Sequence, residues 1–288
     1  MDTTKTVTHI SLCAGYGGID LGLKGAIANL RTIAFSEIEA YACANLVAKM
    51  EQGLLDQAPI WTNLKTFPWA DFRGKVDVLS GGYPCQPFST SGKRLGTEDP
   101  RHLWPYIADG IRLMRPNLCF FENVEGHITL GLREVISELE SIGYSTTWGI
   151  FSASEVGAPH RRKRIFIMAY AMHDGSTESG KLFQGPDGSK FSSNGEPERI
   201  ESKITDTMCE RLQRQRLITS RIKSELCDIS HNSWWATERR LGRVADGHPY
   251  WVDRLRLCGN GVVPATATLA FKTLYKRIEN DNANRTKI

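Results

Sequence analysis

Short apolar runs alternate with helix-patterned stretches along the first 171 residues, and that alternation leaves few folds open. The runs cover residues 7–12, 31–36, 76–80, 118–121, 144–151 and 164–170, each of strand length. A glycine turn at Gly15, Gly17 and Gly18 leads into a helix beginning Ile19-Asp20-Leu21-Gly22-Leu23. Further helices are predicted over 40–50, from about 103 to 114, and over 132–142. The last of these places Leu132, Val135, Ile136, Leu139 and Ile142 on one face. Strands separated by helices bury both faces of one sheet, so the expected fold is α/β with much parallel pairing. A final helix is predicted over 262–278, and no internal repeat interrupts the pattern.

Composition changes near Met172. Residues 173–197 are rich in Gly, Ser, Asp and Asn and read as a loop or poorly ordered stretch, while 205–228 reads as a basic helix. The 288 residues suffice for one large domain and a small one, with 41% hydrophobic and 24% charged residues as in soluble globular proteins. No apolar run reaches the roughly eighteen residues that a membrane span needs. The N-terminus lacks the apolar core of a signal peptide, so a cytoplasmic location is expected. Seven cysteines without a C-x-x-C pair indicate neither a disulfide framework nor a zinc site. Cys227 and His231 have helical spacing but no further ligands, so no metal is expected. The net charge of +4 is modest, yet basic residues gather in the second half. His160-Arg161-Arg162-Lys163-Arg164 is one cluster, and Arg211, Arg214, Arg216, Arg239, Arg240 and Arg243 follow. Such a distribution suits a phosphate-binding face, and equally a solvated surface.

Two local patterns carry chemistry. Residues 80–89 read Ser-Gly-Gly-Tyr-Pro-Cys-Gln-Pro-Phe-Ser, directly after a strand. Pro84 and Pro87 stiffen the loop around Cys85, which suits a nucleophile at the carboxyl end of a strand; a buried structural cysteine is the alternative. The second pattern is Gly15-x-Gly17-Gly18 between strand and helix, with Glu37 twenty residues beyond Gly17 at the end of the next strand. Glycines there admit a ligand to the backbone, and an acid in that place accepts from ribose hydroxyls. Asp20 breaks the G-x-G-x-x-G spacing, which makes a nicotinamide enzyme the weaker reading.

Five segments in order resemble the cytosine-5 DNA methyltransferases of bacterial or phage type. They are SLCAGYGGIDLG at 11–22, GGYPCQPFS at 81–89, FENVEG at 121–126, GAPHRRKRI at 157–165 and GNGVVP at 259–264. The resemblance implies a Rossmann-like, S-adenosylmethionine-dependent methyltransferase: a mixed sheet with helices on both faces, plus a small target-recognition domain. The catalytic and cofactor-binding domain would comprise 1–171 and 258–288, and the recognition domain 172–257. The implied reaction moves a methyl group from S-adenosylmethionine to carbon-5 of a flipped-out cytosine in a short duplex sequence. The implied setting is restriction–modification or phage DNA protection, with the chain acting as a monomer on double-stranded DNA. An RNA methyltransferase acting on transfer RNA, and a non-catalytic DNA-binding homologue, are the rival readings.

The resemblance also assigns residues. Cys85 would be the nucleophile, Glu122 a protonated acid with a raised pKa at N3, Arg164 the contact to O2 and Arg162 the residue orienting the catalytic loop. Asn123 would fix that loop, and His160 stands where the family usually has Gln. Ala14, Gly15, Gly17, Gly18 and Asn260 would contact the cofactor, Glu37 its ribose and Ile38 its adenine. Cys13 replaces a usual Phe and offers less stacking area. Asn63 replaces a usual Asp and accepts without charge assistance. Gln86, Ser89, Ser91, Lys93 and Arg94 would contact the DNA.

Overall fold

The computed structural model describes residues 6–84, 103–172 and 259–285. Cys85, Gln86, Ser89, Ser91, Lys93, Arg94 and the expected recognition domain beyond Met172 lie outside the described residues, as does the basic helix expected over 205–228.

Seven strands form one sheet: β1 (Val7–Leu12), β2 (Leu30–Ser36), β3 (Ile60–Trp61), β4 (Val78–Gly81), β5 (Leu118–Val124), β6 (Tyr144–Ser152) and β7 (Lys163–Ala171). Their order is β3-β2-β1-β4-β5-β7-β6. Pairing is parallel from β3 through β5 and antiparallel where β7 meets β5 and β6. The sheet is therefore mixed. Among the described residues five helices accompany it: α1 (Gly18–Lys24), α2 (Ala40–Glu51), α3 (Trp104–Met114), α4 (Leu132–Ser141) and α5 (Pro264–Arg285).

The period of two along the strands divides the core. In β5, Cys119 and Phe121 face one layer, together with α3 (Ile107, Ile111, Met114) and α4 (Val135, Leu139). Leu118 and Phe120 face the other, with α1 (Ile19, Leu23) and α5 (Ala270, Phe271, Leu274). β7 alternates in the same way, Ile165 and Ile167 against Phe166 and Met168. Apolar burial on both faces is what forces a three-layer arrangement.

Element boundaries depart from expectation where side chains intervene. The strand predicted over 118–121 continues to Val124, so Glu122 and Asn123 lie inside it. The strand predicted from residue 76 begins at Val78, just after Asp77, whose carboxylate accepts from the Thr8 amide and from Asn117. The last helix starts at Pro264, whose ring fixes a helical φ and needs no amide partner. β3 has two residues, too few to show as a periodic run.

Candidate active site

The chain leaves β1 toward β2 on one side and returns to β4 on the other, so the connections after β1 and β4 part at their carboxyl ends. A crevice opens there, as it does at such reversals in α/β sheets. It has a volume of about 1080 Å³ and is lined from Cys13–Gly15 after β1, Glu37 and Ile38 after β2, Asn63 after β3, Gly82–Pro84 after β4 and Glu122 of β5. Arg164 and the 260–262 segment complete it.

One end of the crevice is built mainly from backbone. Gly15 and Gly17 have φ of +55° and +81°, the left-handed region that favours glycine, and this lets the chain turn sharply into α1. The Glu37 carboxylate is buried and held from both sides: Oε2 accepts from the Gly15 amide at 2.7 Å and Oε1 from the Glu39 amide at 2.9 Å. The Ala14 amide donates to Ser36 and the Gly17 amide to Ala14, so three of the expected loop donors brace the turn itself. Ile38, beside Glu37, is 74% exposed on the crevice wall. Asn63 Oδ1 caps a short 3-10 turn by accepting from the Lys65 amide. Cys13 packs against the core, and burial, then the Glu37 charge, push its thiol up to about 12. It is a neutral thiol that also lines the crevice.

The other end is built from charged side chains. Register pairs Val124 with Arg164 and Glu122 with Phe166, so Glu122 and Arg164 sit diagonally on one face of the antiparallel pair. Arg164 Nε donates to Glu122 Oε1 at 2.8 Å, and both side chains are largely buried. Burial pushes the Glu122 carboxyl up to about 7, with Arg164 and then Arg162 opposing it. A Cβ on Gly82 would lie 3.2 Å from Glu122 Oε2, so the chain leaving β4 runs close over this carboxyl. Asn123 Nδ2 donates to the Tyr83 carbonyl at 3.1 Å, a backbone tether two residues before Cys85. The Arg162 guanidinium donates to the carbonyls of Gly259 and Gly261, at 2.5 and 2.6 Å. It thus ties the start of β7 to the segment entering α5.

A family model for C-5 cytosine-specific DNA methylase matches residues 7–243. The chain belongs to the C-5 cytosine-specific DNA methylases. It is similar to the type II methyltransferase M.NgoMIV of Neisseria gonorrhoeae, with 28% identity over 267 residues, covering 88% of this chain and 78% of the relative. It is 32% identical to M.PspPI of Psychrobacter sp. (strain TA137) over 180 residues, 58% of this chain and 40% of that one. A 32% match to M.AplI of Arthrospira platensis covers 47% of it, so the chain spans less than half the length of these two relatives. The crystal structure of S. pombe Dnmt2 methyltransferase shares the fold, with a TM-score of 0.57 at 16% identity over 94% of this chain and 99% of that one.

The methylase also uses residues that the sequence did not single out. Tyr16 donates to the Val262 carbonyl and lies against Gly261, where a Cβ would fall 1.8 Å from its ring. A Cβ on Gly18 would lie 2.3 Å from the same carbonyl. Gly18 and Gly261, glycines of two motifs 243 residues apart, thus admit one contact between the first loop and the segment before α5. Tyr41 and Thr62 join the crevice wall. The signal for Tyr16 was present in Gly261, a residue whose missing side chain implied a close neighbour.

S-adenosylmethionine use follows from the family, and the crevice fits it. A methionine-bearing nucleoside needs a close backbone approach, a carboxylate for the ribose and an apolar wall for the base. The lining of the crevice includes groups of these kinds, the glycine turn, the Glu37 carboxylate and the exposed Ile38.

Proposed function

We propose that this methylase transfers a methyl group from S-adenosylmethionine to carbon-5 of cytosine in double-stranded DNA, acting in the cytoplasm as a monomer within a restriction–modification or phage-protection setting. The observation that carries the reading is a single crevice holding both the Glu37 glycine turn and the buried Glu122–Arg164 pair, with β4 leading past them to Cys85. Gly15, Gly17, Gly18, Glu37, Ile38, Asn63 and Asn260 would hold the cofactor, which supplies an electrophilic methyl group when bound.

The cytosine ring is a poor nucleophile at carbon-5 until a group adds at carbon-6. The Cys85 thiolate would form that bond, and the electron pair of the 5,6 double bond would move toward carbon-5 and the N3 side of the ring. Glu122, with its proton retained to about pH 7, donates at N3. Arg164 presents a cation beside it for the O2 side, in a buried setting where fixed charge acts strongly. Loss of the carbon-5 proton and departure of the thiolate restore the ring. Stacking hides carbon-6 in a duplex, so the base must leave the helix, at a cost of a few kcal/mol.

The test is transfer from labelled S-adenosylmethionine to unmethylated DNA and, separately, to transfer RNA, with wild type beside Cys85→Ser. Label on cytosine in DNA that vanishes in the variant is expected. Label on transfer RNA alone would replace the DNA reading by the RNA one.

A further inference from the structure

Tyr83 and Trp104 stand at the two ends of the segment 85–102, one before it on the exit of β4 and one after it at the first residue of α3. Their rings meet, with centroids 5.2 Å apart. Both also pack on Phe121 of β5, at 5.8 and 5.7 Å. Aromatic rings favour such tilted and edge-to-face arrangements. A directional contact is added. Tyr83 Oη and His127 Nε2 share a hydrogen bond of 2.9 Å, and both residues are buried. His127 lies on the short turn that follows β5, five residues after Glu122. The Tyr83 backbone is tied to the same strand end by Asn123. Trp104 is anchored in turn: its indole donates to Glu138 of α4 at 2.8 Å.

These contacts link each end of the segment carrying Cys85 to the strand carrying Glu122. A phenol hydroxyl and an imidazole are costly to bury unless they meet each other, so the pair specifies one arrangement where Phe and Leu would pack as well. We propose that Tyr83 and His127 are positioning residues for Cys85. Their hydrogen bond, with the Asn123 tether, sets where the chain leaves β4 relative to the Glu122 carboxyl, two residues before Cys85 in the sequence. The proposal rests on the reading of Cys85 as the nucleophile. Burial holds the His127 ring neutral, its pKa lowered to about 4, so the contact persists through the neutral range.

The experiment compares wild type, Tyr83→Phe, His127→Leu, His127→Gln and the Tyr83→Phe/His127→Leu double variant. Three quantities are read: kcat and KM for S-adenosylmethionine on unmethylated bacterial DNA, thermal midpoint, and the rate of Cys85 alkylation by iodoacetamide mapped by peptide mass. Misplacement of reacting groups by an ångström can cost about a hundredfold, and a loosened tether is expected to cost about tenfold in kcat. KM for the cofactor should stay within twofold of wild type, as the altered Tyr83 hydroxyl and His127 ring are buried against each other and neither residue is among those assigned to the cofactor (twofold being about the scatter of such assays). The double variant should be no slower than either single one, and His127→Gln, which keeps a hydrogen-bonding group, should recover most of the rate. Cys85 alkylation should shift in the two broken variants and not in His127→Gln. An active wild type with unchanged kcat and alkylation in Tyr83→Phe and His127→Leu would overturn the proposal. Losses that add in the double variant and track the thermal midpoint would overturn it too, by assigning the pair to stability. An inactive wild type would instead overturn the reading of the site as a methyltransferase, and the alkylation rates would still decide the positioning claim.

Discussion

The parallel half of the sheet and its antiparallel edge meet at one crevice but build their sites from different material. At the carboxyl ends of β1 and β2 the site is built mainly from main chain, and the buried acid Glu37 accepts an amide on each oxygen. A carboxylate so placed is a fixed acceptor. At the end of β5 the acid is Glu122, met by the Arg164 guanidinium and covered by protein, with burial outweighing the cation. That carboxyl is poised to keep a proton near neutrality. On the proposed function, one sheet would serve a ligand that needs an acceptor and a ring that needs a donor. A carboxylate fixed by two backbone amides would supply the first, and a carboxyl whose burial outweighs its cationic neighbour would supply the second.

The largest expected break in that contrast comes from Glu122→Gln. Removing the proton donor should lower kcat by roughly a hundredfold or more, with cofactor binding by calorimetry unchanged. The same variant tests the proton directly. Folded Glu122 keeps its proton to about pH 7, while the unfolded group loses it near 4.5. The Glu122 contribution to stability therefore falls as pH rises between these values, and is level below and above. Glu122→Gln lacks this dependence, so its stability relative to wild type should climb by about 3 kcal/mol across that window in denaturant titrations.

Gly261→Ala should act next, since its Cβ would meet the Tyr16 ring. A loss of about 1–3 kcal/mol is expected by urea unfolding, partly restored by adding Tyr16→Ala. Ile38→Ser should leave stability alone, because the side chain is already exposed. It should weaken cofactor binding about three- to tenfold, for about 1 kcal/mol of lost apolar contact. The smallest effect is assigned to Asn63→Asp. A charged oxygen can serve the Lys65 amide and an adenine amino group together, so cofactor affinity should rise about twofold to threefold.

The two halves were unequally readable. The cofactor end is local in sequence: glycines after a strand, then an acid at the end of the next strand, are a pattern a chain shows without its fold. Glu37 and Ile38 both line the crevice. The base end is not local. Glu122 and Arg164 are 42 positions apart in sequence, and only the antiparallel return of β7 puts them on one face. Strand periodicity gave β7 its place in the sequence but not its direction, so the ion pair itself was not visible. Arg162 shows the same limit. Its spacing from Arg164 was plain, but its bonds to Gly259 and Gly261 depend on α5 returning to the sheet. Tyr83 and His127 were hidden for another reason: a tyrosine among prolines and a histidine after a strand have many ordinary fates, and only the contact between them distinguishes this one.

The most direct test of the account uses DNA copied with 5-fluorocytosine in place of cytosine. Fluorine cannot leave carbon-5 as a proton does, so a thiolate added at carbon-6 stays attached. Incubated with S-adenosylmethionine and run under denaturing conditions, the wild-type protein should form a DNA adduct that maps by peptide mass to Cys85. Cys85→Ser should form none, and Glu122→Gln should form it far more slowly. Methylation of ordinary cytosine at carbon-5 with no adduct on the fluorinated DNA, or an adduct mapping to another cysteine, would contradict the account.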